Sequence, residues 1–154
     1  MVTMKSILIS LVFVGIVLAQ AQDLPDSSLT PGSIFVVLKD TICVSGYSAK
    51  VRNVPVAVKK IIFKFYNIPW SQRADYEVDH LIPLCLGGNN SLKNLWPQSY
   101  KSQWSAHMKD RLEVRLRRLV CTGHITLKQA QDEIAHDWIA TFNKYVIEKE
   151  RGDK

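Results

Sequence analysis

Four residues near the middle of the chain are of the types that hydrolytic chemistry uses. Asp79 and His80 are adjacent, Asn94 follows them, and His107 lies further on. A carboxylate offers a hard oxygen to a divalent metal. A neutral imidazole takes a proton from water near pH 7, and an amide can hold that ring in a useful orientation. The surrounding stretch, YEVDHLIPLCLGGNNSLKNLWPQ at residues 76–98, predicts how they would be gathered. Residues 76–83 read as a strand running into a turn at Gly87-Gly88-Asn89-Asn90. A short return strand is expected around Asn94, Leu95 and Trp96, stopped by Pro97. Adjacent strand residues point to opposite faces, so Asp79 and His80 share a site only where the strand ends or bends. Pro83 and the glycine pair supply that interruption. A hairpin followed by a helix bearing His107 then brings all four around one metal ion. Taken alone, an Asp-His pair more often marks a satisfied buried polar network.

The elements that must position these residues are clearest in the C-terminal third. Trp104, Met108, Leu112, Leu116 and Leu119 form a helical apolar stripe, with Gly123 as its stop signal. Thr126 and Gln129 resemble a capping box that opens a second helix. Its stripe runs through Leu127, Ala130, Ile134, Trp138 and Phe142 towards Tyr145, and those aromatics read as core. Upstream, residues 56–66 suit a helix with Lys59, Lys60 and Lys64 on one side, or an apolar strand. Residues 34–44, rich in β-branched types, predict a strand or a short irregular segment. Glu77 shares a strand face with Asp79, while His124 and His136 have no visible partners.

Composition narrows the class. The chain has 154 residues, 47% hydrophobic and 22% charged, which suits one globular domain and excludes a disordered or collagen-like chain. The net charge of +6 favours an anionic partner. Lys5, the apolar run at residues 7–19 and Ala19-Gln20-Ala21 match a signal peptide covering residues 1–21. The run is shorter than the ~20 residues that span a bilayer, so export with no stable membrane insertion is expected. Residues 22–40 begin with a polar, Pro/Ser-rich flexible lead-in. In an oxidising compartment two of the three cysteines pair. Cys85 sits in an apolar run and Cys43 and Cys121 flank the motif, so Cys43–Cys121 is the expected bridge among three pairings.

The phrases DHLIPLCLGG and NLWPQ resemble the DH-x-x-P-L-x-x-GG…NLWP pattern of the HNH nuclease superfamily. The likeness to small exported HNH proteins extends through TICVSGY at 41–47, KDRLE at 109–113, VCTG at 120–123 and the last Trp-bearing helix. This resemblance implies an α+β nuclease domain over residues 41–147, a hairpin-helix metal site with an added C-terminal helix and a disulfide. It implies that Asp79 ligates a divalent metal, Mg²⁺ or Mn²⁺ or another transition metal. It makes His80 the general base and Asn94 the residue that orients it, with 5′-phosphate ends as products. The chain departs from the pattern at the helix. Where exported relatives are expected to read Asn-Ala-x-x-Lys-Asp, it reads Ser105-Ala106-His107-Met108-Lys109-Asp110, so the last ligand is His107, Ser105 or a water.

Lys109, Arg111, Arg115, Arg117 and Arg118 cluster on that helix, with Arg73 and Lys101 nearby. They predict phosphate contacts without sequence preference, or else a solvated face in which Lys109 pairs with Glu113. The expected activity is a secreted or periplasmic, metal-dependent endonuclease acting on DNA or RNA with little selectivity. The rival readings are an HNH-derived module that binds nucleic acid without cutting it, and a basic protein that adheres to envelope polymers. The residues identify no inhibitor or immunity partner, no oligomeric state and no biological role.

Overall fold

A computed structural model describes residues 23–148, so the expected signal segment and its cleavage point near Ala21 lie outside the described residues. The centre is a two-stranded antiparallel hairpin of β1 (Tyr76–His80) and β2 (Leu95–Ser99), with Val78 opposite Pro97 and His80 opposite Leu95. Strand β2 runs through Pro97 instead of stopping there. Both strands of a two-stranded sheet are edges, so a residue without an N–H is tolerated on the unpaired side. Strand alternation puts Glu77 and Asp79 with Trp96 and Gln98 on one face, and Tyr76, Val78 and His80 on the other.

Helices cover both faces. Helix α3 (Val56–Phe65) lies on the His80 face, where the Phe63 ring meets Tyr76 edge-on at 5.9 Å. Its sequence suited a helix or a strand; Pro55 pre-sets the first turn, and Asn67 ends it in the left-handed region at φ 53°. The long α4 (Ala106–Cys121) lies on the Asp79 face. Of the strand or short irregular segment expected over residues 34–44, the structure has the irregular segment as far as Leu38. A single bridge joins Ile34 to Gly88, and the short helices α1 (Lys39–Cys43) and α2 (Tyr47–Val51) follow. Among the described residues no further strand extends the bridge, and Val36 and Leu38 stay exposed.

The apolar stripe of α4 builds the core. Leu112, Leu116 and Val120 pack with Ile134, Trp138 and Phe142, all completely buried. Trp104 precedes the helix and still joins this cluster, its ring edge-on to Trp138 at 5.9 Å and Phe142 at 5.7 Å. Gly123 follows α4 in the left-handed region, as its stop position predicts. Thr126 caps α5 (Leu127–His136) by accepting the Gln129 N–H, but the Gln129 side chain turns to Glu133 and Tyr145 and leaves the box half made. The expected continuous last helix breaks at Asp137. That residue is extended, and its carboxylate accepts the N–H groups of Ile139 and Ala140 at 2.9 Å, opening α6 (Trp138–Phe142).

The Cys43–Cys121 bridge ties α1 to the end of α4, with a Cα–Cα distance of 5.7 Å. Beside it, Arg117 donates to the carbonyls of Ile42, Cys43 and Val44, oxygens that the end of a short helix leaves unpaired. Cys85 is a free thiol, and burial pushes its pKa up to about 12, which makes it a poor nucleophile. The lead-in is bonded to the body. Thr30 donates to the Leu95 carbonyl, Gly32 N–H to that of Lys93, and the Trp138 indole to that of Asp23. Among the described residues no helix is long and apolar enough to cross a membrane.

The bridge closes a loop of 78 residues, for which the chain-entropy picture gives a stabilisation of about 4 kcal/mol. The Cys43→Ser/Cys121→Ser variant is expected to melt roughly 10 °C or more below the wild type in a thermal scan. An unchanged melting temperature would show that the helices hold this corner without it.

Candidate functional site

The loop between the strands carries the site, and an asparagine shapes it. Asn94 is completely buried. Its Oδ1 accepts the Ile82 N–H at 2.9 Å, and its Nδ2 donates to the carbonyls of Ile82 and Asn89 at 2.9 Å each. Gly88 sits so close to the same turn that a Cβ there would overlap the Ile82 carbonyl oxygen. Asn94 therefore braces the loop backbone, and the expected contact with the His80 ring is not among its bonds.

The partner of His80 is Asn90. The imidazole Nε2 lies 3.0 Å from Asn90 Oδ1, while Asn90 Nδ2 donates to the Val51 carbonyl (2.8 Å) and Asn53 N–H donates to Oδ1 (3.2 Å). These two backbone bonds set which end of the amide faces the ring. An amide oxygen only accepts, so Nε2 carries the hydrogen and Nδ1 keeps the lone pair. Burial lowers the His80 pKa, opposed by the Asn90 bond and the Asp79 charge, so the ring is neutral at neutral pH. In the sequence Asn90 read only as part of a turn; its signal was a side-chain amide two residues after the glycine pair.

On the opposite face, Lys109 reaches the strand end from α4. This side chain, expected on the phosphate-binding surface, is 1% exposed. Its ammonium lies 2.7 Å from Asp79 Oδ2, 2.7 Å from Glu113 Oε1 and 2.7 Å from the His80 carbonyl oxygen. Burial alone would favour the neutral amine, but the two carboxylates overcome it and hold the group charged. Glu113 moves the other way: burial and the Asp79 charge, against the pull of Lys109, push its carboxyl up to about 7. Two carboxylates share one ammonium, and one of them gives way.

The other predicted phosphate ligands are also engaged. Arg111 lies over the Phe142 ring at 5.3 Å, and Arg115 donates to the Tyr145 carbonyl. Together with Arg117 at the α1 carbonyls, they hold α4 against its neighbours. Ser105 is the N-cap residue of α4, where its carbonyl accepts the Met108 N–H. His107 is exposed and stacks on the Tyr100 ring, with centroids 5.3 Å apart. It is not gathered with Asp79 and His80: among the described residues, no three His, Cys, Asp or Glu side chains form a group that could hold a metal.

Asp79 nevertheless suits a hard cation. Its Oδ2 is buried and close to an ammonium, yet that contact lacks hydrogen-bond alignment, which leaves lone-pair capacity unused. Glu77, on the same strand face, and Asp110 each have a raised pKa, first from burial and then from the Asp79 charge. A cation relieves such crowding, and Mg²⁺ characteristically takes one or two carboxylates and completes its shell with waters and phosphate oxygens. Comparison of the chain with protein-family models, curated proteins and solved structures finds no match.

Replacing Lys109 with Met leaves Asp79 and Glu113 without their shared cation, and roughly 3–5 kcal/mol of stability is expected to be lost in urea unfolding. A loss under 1 kcal/mol would mean that water takes over the role. Glu113 predicts a pH dependence. Its folded pKa is raised, so its contribution is complete below about 4.5 and is lost as pH rises through about 7. His80, with a lowered folded pKa, works in the opposite sense, so Glu113→Gln is needed to separate them. From pH 5 to 8 the wild type should lose stability relative to this variant; parallel curves would reject the assignment.

Proposed function

We propose that the protein is an exported endonuclease of the HNH type, hydrolysing phosphodiester bonds of DNA, and of RNA where it is accessible, with little sequence selectivity. The observation that carries this reading is the Asn90–His80 pair: a neutral imidazole with a defined tautomer, one residue from a buried carboxylate at a strand end. In this reading His80 Nδ1 takes a proton from the attacking water, and Asn90 keeps the ring turned to do so. A divalent cation bound through Asp79, with Glu77 on the same strand face, would supply Lewis acidity towards the scissile phosphate and the leaving 3′ oxygen. Asn94 keeps the loop in shape. The Cys43–Cys121 bridge supports an oxidising compartment.

A second reading has its own observation. The Lys109 ammonium already rests on Asp79, and among the described residues no three His, Cys, Asp or Glu side chains form a group that could hold a metal. Both facts favour a module of the same ancestry that holds nucleic acid without cutting it.

Plasmid nicking in lanes containing Mg²⁺, Mn²⁺ or EDTA separates the two. Nicking is expected with a metal and not with EDTA. It should fall by ~10²–10⁴-fold in His80→Ala and by about tenfold in Asn90→Ala. Nicking that survives His80→Ala would remove the assigned base, and none with any metal would leave the binding module.

A further inference from the structure

A cleft of mixed character lies beside this site, where α3 and the turn before β1 meet Glu77 and Tyr100. Its volume is about 440 Å³, which falls among small-ligand sites and is too small to enclose a duplex. Three cations line it, Arg52, Lys59 and Arg73, against one carboxylate, Glu77. Tyr100 supplies ring surface, and Trp70 walls the cleft. Trp70 is fixed by the edge of Phe63 at 5.2 Å and already carries the Arg73 guanidinium at 5.5 Å and the Lys60 ammonium at 5.7 Å over its ring. Tyr100 is tied to Glu77 through its hydroxyl and is backed by the His107 ring. Arg52 stands where the cleft meets the site, close enough for its charge to be felt at both Glu77 and His80.

We propose that this cleft receives an unpaired nucleotide, its base on the face of Tyr100 away from His107 and its flanking phosphates on Arg52, Lys59 and Arg73, so that the substrate is a single strand or an open end. In a duplex the faces of the bases are occupied by their neighbours, and only an unpaired base has a face to give to an aromatic ring. The cations neutralise phosphates of any sequence, in keeping with low selectivity. The stacked His107 thereby acquires a role as backing for Tyr100. The inference rests on the nuclease reading for its link to His80, but not for the binding itself.

The test is fluorescence anisotropy in EDTA, with a labelled 12-nucleotide oligothymidylate and a duplex hairpin of equal length. The single strand should bind the wild type at least tenfold more tightly than the duplex. Tyr100→Ala should weaken it about tenfold while Tyr100→Phe leaves it unchanged. Lys59→Gln/Arg73→Gln, both partly or fully exposed positions, should flatten the salt dependence by about 1.4, at ~0.7 per phosphate contact on a single strand. Equal or better duplex binding, no binding of either probe, or wild-type affinity in Tyr100→Ala and the double variant would each overturn the inference. Strand preference without nicking upholds it and sinks the nuclease reading; nicking without strand preference does the reverse.

Discussion

One buried ammonium organises the centre of this molecule. Lys109 leaves α4 and reaches the last two residues of β1, touching the side chain of Asp79 and the main chain of His80. Taking a charge out of water costs several kcal/mol unless close partners compensate, and here three oxygens at 2.7 Å do so. The helix and the strand end are thus locked in register by an interaction that tolerates little displacement. The same contact sets the chemistry of the site, because any second cation at Asp79 must share the carboxylate with Lys109.

The two asparagines divide a task that resemblance assigned to one. Asn94 spends its hydrogen bonds on the backbone of the loop, a place where only glycine fits at position 88. The side chain free to address the imidazole is then Asn90, itself held by the backbone after α2. The short α2 segment, remote in sequence from the motif, thereby becomes part of the ring's support. The basic residues of α4 show the same economy. Arg115 and Arg117 meet carbonyls at helix ends and turns, so positive charge in the sequence marks internal hydrogen bonding here as much as an outer binding face.

Local signals explain why much of the fold was legible. The α4 stripe, the Gly123 stop, the Thr126 cap and the hairpin around Gly87-Gly88 are each set by a few neighbouring residues. Where the reading failed or stayed open, distant partners decided. Residues 34–44 suited a strand or an irregular segment, and only their surroundings chose the second, with a single bridge at Ile34. Asp137 looked like one more position on a helix until its carboxylate capped a new one. Pro97 was a stop signal only if the sheet continued beyond it.

The chain's own residues determined the hairpin, the two long amphipathic segments and the adjacency of an acid and an imidazole at a strand end, because periodicity and turn chemistry act over short spans. Which groups face one another was decided only by the tertiary structure. A lysine and an acid one turn apart on a helix look like a surface pair, and packing that helix against the hairpin turned them into a buried triad with Asp79. His107 went to Tyr100 and His80 to Asn90 for the same reason. A side chain's partners depend on how elements dock, and sequence spacing carries no record of docking.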